Sequence, residues 1–212
     1  MEEDYGGEAM IEIRKGEHVG LVGTNGSGKT YYFRHVFEPN LRRLIVIDTE
    51  ERQFNDLPVL KGDPMKIIKK LPDDRYFRLR WIPTASSEIE DMELFAQSLI
   101  YFGDDLQIYI DELTDFSSAN SIRPWLKSLF RKARKRKISI YWASQRPAGV
   151  NKWAWDNSSH KLLFYIRDYD RTVLDKYYRG ISEELNQIEW KSYRCLYIDP
   201  SGATHLMEAA GR

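Results

Sequence analysis

The 212-residue chain has one cysteine, Cys195, so it can form no internal disulfide and offers no thiolate set for a zinc site. That usage suits a reducing compartment. Net charge is absent too, because 32 basic residues balance 32 acidic ones. Any affinity for nucleic acid must then come from local clusters. No apolar run approaches the roughly 20 residues of a membrane span, which argues against membrane insertion. The opening Met1-Glu2-Glu3-Asp4 is acidic, where a secretory signal would be basic and then apolar. Internal repeats and low-complexity tracts are missing. The four histidines, His18, His35, His160 and His205, show no metal-ligand spacing. What remains is 42% hydrophobic and 30% charged, ordinary for a globular protein. The length suits a flexible tail over residues 1–8 and a single α/β domain over 9–212.

Apolar runs and turn signals alternate along the chain. Met10 to Ile13 reads as a short strand that turns through Arg14-Lys15-Gly16-Glu17 into a second strand, His18 to Val22, as a hairpin at a sheet edge. A helix over Tyr31–Phe37 follows. Strands are expected at Leu41–Asp48, Tyr76–Ile82, Leu106–Ile110, Ile138–Ala143 and Lys161–Ile166, with 52–63 irregular and a short basic helix at 64–70. Ser87-Glu88-Ile89-Glu90 is a capping box opening a helix whose apolar face is Ile89, Met92, Phe95, Ala96, Leu99 and Ile100. A second amphipathic helix carries Ile122, Trp125, Leu126, Leu129, Phe130 and Ala133 inward, and Lys127, Arg131, Arg134 and Lys135 outward. A helix over 170–178 and a terminal hairpin, 194–198 with 204–207, complete the chain. Strands alternating with helices imply an α/β fold with a mostly parallel central sheet covered on both faces.

Gly23-Thr24-Asn25-Gly26-Ser27-Gly28-Lys29-Thr30 matches the phosphate-binding pattern G-x-x-x-x-G-K-[ST] at every fixed position. Chance would supply it in roughly one chain per hundred of this size. Glycines let the backbone wrap phosphates with its N–H groups, and a helix N-terminus adds partial positive charge. Lys29 can reach the β- and γ-phosphates of ATP, and the Thr30 hydroxyl can hold Mg²⁺. Asp111-Glu112 ends an apolar strand, as a Walker B pair does. Asp111 would hold Mg²⁺ and Glu112 would polarise the attacking water. The strand nearest the loop in sequence ends in Asp48-Thr49-Glu50-Glu51, without the glycine of a GTPase switch. The late acidic pair favours P-loop ATPases with an extra strand and a catalytic glutamate. Gln145 ends the next strand, where an amide can touch the γ-phosphate or the attacking water.

The block Arg131-Lys132-Ala133-Arg134, the strand to Ala143, Ser144-Gln145-Arg146-Pro147 and Asp170-Arg171-Thr172-Val173-Leu174-Asp175 resembles the FtsK/HerA superfamily of DNA-pumping ATPases. A compact chain most resembles the branch that packages genomes of icosahedral viruses with double-jelly-roll capsids and internal membranes. The resemblance implies an ATP-hydrolysing, Mg²⁺-dependent translocase of double-stranded DNA. It implies a homo-oligomeric ring, pentamer or hexamer, and capsid vertex or portal-like proteins as partners. The expected setting is the cytoplasm of a cell or infected host, or the virion. The resemblance also places a γ-phosphate sensor on Gln145 and an arginine acting on the neighbouring subunit at Arg134, with Arg131, Arg136 and Arg171 as further candidates. Asn25 departs from the threonine common in cellular members. A cellular DNA pump, a phage morphogenesis ATPase and a passive binding module are the other functions weighed.

Overall fold

The computed structural model describes residues 11–48, 53–60, 76–82 and 88–209. The expected tail over 1–8, Met10, the helix at 64–70, Thr49–Glu51 and Ser87 lie outside the described residues.

Nine strands form one sheet. They are β1 (Val19–Val22), β2 (Arg43–Ile47), β3 (Val59–Leu60), β4 (Phe77–Trp81), β5 (Gln107–Ile110), β8 (Ser139–Ser144), β9 (His160–Leu163), β10 (Cys195–Ile198) and β11 (Thr204–Met207). Their order is β11-β10-β9-β1-β8-β5-β2-β4-β3. From β9 to β3 all neighbours run parallel, and β10 and β11 close one side antiparallel. A two-stranded ribbon, β6 (Ser117–Ser118) and β7 (Ser121–Ile122), stands apart.

Period-two alternation divides the strand side chains between two cores. Ile45, Ile47, Ile108, Ile110, Ile140 and Trp142 face one core. It is capped by α2 (Glu88–Phe102), α3 (Pro124–Ala133) and α4 (Lys152–Asn157). Leu44, Val46, Tyr109, Tyr141 and Ala143 face the other, beneath α1 (Lys29–Tyr32) and its continuation through a wide π turn (Phe33–Phe37). Met92, Phe95, Ala96 and Leu99 of α2 are fully buried, as are Leu126, Leu129 and Ala133 of α3. Trp125 and Trp155 are core residues. Two short helices, α5 (Asp168–Leu174) and α6 (Ile181–Glu184), lie between β9 and β10.

Two expectations are corrected. Residues 11–14 form no strand, and β1 does not lie in an edge hairpin: it pairs in parallel with β8 and β9 at the middle of the sheet. Local adjacency had suggested a hairpin, but a short strand buried on both faces gains more from two parallel neighbours. Within 52–63, Val59–Leu60 joins β4 rather than staying irregular.

His18 secures the entrance to β1. It is fully buried, its Nδ1 accepts the Ile140 N–H (3.1 Å), and its Nε2 lies 3.1 Å from the Phe130 carbonyl oxygen. That pairing requires the neutral ring with hydrogen on Nε2, and burial pushes its pKa down to about 4.

Candidate active site

Parallel strands deliver their following loops to a single edge, and in such sheets ligands bind beyond the carboxyl ends. β1 ends in the 23–30 loop, β5 in Asp111-Glu112 and β8 in Ser144-Gln145. Since β8 lies between β1 and β5, all three converge. The extra strand expected for this class of ATPase is therefore present. Together they line a cleft of about 200 Å³ with Asn25, Gly26, Gly28, Lys29, Thr30, Asp111, Glu112 and Gln145 on its walls. Tyr31, Gln53 and Tyr193 complete it.

The loop is anchored on both flanks of β1. Gly23 N–H donates to the Ser144 carbonyl (3.1 Å) and Thr24 N–H to that of Tyr165 (2.9 Å). A Cβ at Gly23 would lie 2.7 Å from both Phe164 Cβ and Ser27 Oγ, so no larger residue fits. Gly28 adopts φ +107°, a left-handed conformation open chiefly to glycine. Lys29 is buried and its Nζ curls over the loop to the carbonyls of Gly23 (2.7 Å) and Thr24 (3.1 Å).

Thr30 Oγ1 donates to Asp111 Oδ1 at 3.4 Å, which joins the two expected metal ligands. The same carboxylate oxygen accepts from the Tyr109 hydroxyl (3.1 Å). Tyr109 is fully buried, and burial followed by the Asp111 charge holds its hydroxyl protonated, well above the usual tyrosine range. Sequence reasoning missed Tyr109. Its position two residues before Asp111, on the same strand face, was the available signal.

Glu112 is buried, and its Oε1 accepts the N–H (3.3 Å) and the hydroxyl of Thr114. Its Oε2 accepts the backbone N–H of Gln145 (3.2 Å). Burial raises the Glu112 carboxyl above its ordinary pKa, against the lowering by the Thr114 bonds and the Lys29 charge. Asp48 takes no part in the cleft. It is fully buried and paired with Arg80 Nε at 3.0 Å.

The residues fit a magnesium–nucleotide. Ser27 Oγ is buried without a hydrogen-bond partner, beside a glycine cradle that a Cβ would fill. A hydroxyl and a carboxylate are the hard oxygen donors Mg²⁺ takes, and it draws its other ligands from phosphate and water. No cluster of three His, Cys, Asp or Glu side chains forms a metal cage among the described residues.

Arg134 does not join this cleft. It precedes the amino end of β8, at the opposite edge of the sheet, and is exposed. Its Nη2 donates to Ser159 Oγ (3.1 Å) and the Asn157 carbonyl (3.4 Å). Arg131 is exposed on α3, and Arg136 donates to the Tyr101 carbonyl (3.0 Å). Arg171 is a different case. It is buried and bonded within its own chain to the Ile166 carbonyl and Asn186 Oδ1, each at 2.5 Å. A buried, doubly bonded guanidinium is unsuited to reach another subunit.

The fold is that of the P-loop NTPases. Its sheet superposes on the genome packaging NTPase B204 of Sulfolobus turreted icosahedral virus 2. With the AMP complex the TM-score is 0.76 and the identity 16%, over 93% of this chain and 99% of that one. The AMPPCP complex gives 0.74 and 16%, over 92% and 98%. EccC ATPases 2 and 3 of Thermomonospora curvata give 0.56 and 14%, over 93% of this chain and 38% of that one. Among curated proteins, Protein P9 of Pseudoalteromonas phage PM2 is 27% identical over 136 residues, 62% of this chain and 61% of that protein. The match thus spans about three fifths of the relative's length. No family model matches the chain. No helix among the described residues is long and apolar enough to cross a membrane.

Proposed function

We propose that the chain is an ATPase that drives double-stranded viral DNA into a preformed capsid, working as a pentameric or hexameric ring at a capsid vertex. The observation that carries the ATPase part is the convergence of Lys29, Thr30, Asp111, Glu112 and Gln145 on one cleft. The loop N–H groups and Lys29 hold the phosphates of ATP. Thr30 and Asp111 would hold Mg²⁺, which neutralises charge on the β- and γ-phosphate oxygens. Glu112 takes the proton from the attacking water, and its raised pKa improves it as an acceptor. Gln145, whose backbone N–H is bonded to Glu112, registers departure of the γ-phosphate through its side-chain amide.

The packaging part is supported by likeness to a protein described as a genome packaging NTPase. Charge distribution supports it as well. Between Arg123 and Trp155 the chain carries ten basic residues and no acidic one. Six of them, Arg131, Lys132 and Arg134–Lys137, are exposed where α3 runs on to β8, and such a cluster can hold phosphates without reading sequence. Arg134 lies far from its own cleft, so a catalytic role for it requires a neighbouring subunit.

Glu112→Gln tests the chemistry. The variant binds ATP within a few-fold of the parent, and its turnover falls by about 10²–10⁴. Unchanged turnover would remove Glu112 as the base.

A further inference from the structure

The cleft is lined by two aromatic rings as well. Tyr31 comes from α1 and Tyr193 from the segment entering β10, and both line it with Gln53. Tyr193 has φ +58° and Lys191, two residues earlier, φ +64°. Such conformations cost bulky residues on the order of 1–3 kcal/mol each, and they gather at ligand sites. Here the twist lays the Tyr193 ring on the phosphate loop. Its Cδ1 is 2.6 Å from where a Cβ at Gly28 would stand, so only glycine permits the approach. The Tyr31 ring lies 5.4 Å away, tilted by 49°, and is steadied by stacking on His35 at 3.9 Å.

We propose that Tyr193 is the platform on which the base of the bound nucleotide stacks, with Tyr31 as the flanking wall. This rests on ATP binding in the cleft and specifies where the base lies. Phosphates held by the loop N–H groups and Lys29 leave the base to exit along the Gly28–Tyr31 side. A tyrosine ring supplies a flat π face with little rotamer entropy to lose. Gln53 brings an amide, donor and acceptor together, to the same cleft, and Arg34 holds its backbone carbonyl (2.8 Å). A side-chain amide, with both donor and acceptor, suits a purine edge.

The test compares ATP with inorganic tripolyphosphate, which has no base, by calorimetric titration of the full chain. Tyr193→Gly removes the ring and relaxes the left-handed backbone, so the fold is spared. Tyr193→Phe keeps the π face. The proposal predicts that Tyr193→Gly weakens ATP roughly 5- to 150-fold, from about 1–3 kcal/mol per stacked base. Tripolyphosphate affinity stays within twofold, and Tyr193→Phe binds both like the parent. Equal weakening of both ligands would make Tyr193 a prop for the loop and overturn the proposal, as would no change in either. A parent that binds tripolyphosphate but gains nothing from the base also overturns it. A parent that binds neither overturns the nucleotide site itself.

Discussion

Replacing Tyr109 by phenylalanine removes a single buried hydroxyl. The ring remains stacked on Phe33 at 3.9 Å, so the core keeps its shape. What is lost is the bond to Asp111 Oδ1, leaving that oxygen with the longer contact from Thr30 at 3.4 Å. A hydrogen bond to a charged acceptor contributes about 1.5–3 kcal/mol. Part of that goes to folding, and part to fixing the carboxylate where a metal ligand is needed. If about 1.4 kcal/mol concerns orientation, the Mg²⁺ concentration for half-maximal hydrolysis rises about tenfold. The assay is hydrolysis against Mg²⁺ at fixed ATP, with nucleotide binding in excess chelator as the control. Binding without metal should stay within twofold of the parent. A Mg²⁺ midpoint that does not move, or metal-free binding that falls equally, would refute the role given to Tyr109.

His18 gives a pH-dependent prediction. Its folded pKa of about 4 lies below the ordinary 6.5, so protons favour the unfolded chain. Its contribution is complete above about pH 6.5 and is lost as pH falls toward 4, roughly 3 kcal/mol in all. Urea midpoints across that window should fall steeply for the parent and less steeply for His18→Gln; identical slopes would count against it. Arg134→Ala should leave the mass of the assembly with ATP and DNA unchanged, while hydrolysis falls by about 10³–10⁵. Full activity, or loss of the assembly, would remove Arg134 as the residue acting across subunits.

Much of this was legible from local pattern. The runs at Leu44–Ile47 and Ile138–Ala143 are apolar because their strands are buried on both faces. The 23–30 loop and the Asp111-Glu112 pair carry their chemistry in contiguous residues. Topology was harder to read. Nothing around His18–Val22 tells that its neighbours in space are β8 and β9, more than a hundred residues later, rather than residues 11–14. Long-range packing hid two further features. Tyr193 meets Gly28 only in the folded chain, through a left-handed backbone that residue type does not announce. Arg171 looked like its neighbours by charge, yet it is buried and bonded to Ile166 and Asn186.

In the proposed function, ATP hydrolysis in the cleft is coupled to movement of DNA. The most direct measurement is ATP turnover by the parent chain with and without duplex DNA, from low to high salt. Duplex DNA should raise turnover several-fold at low salt, with the stimulation fading as salt displaces the basic block from the phosphates. Turnover that is the same with and without DNA at every salt concentration would contradict it.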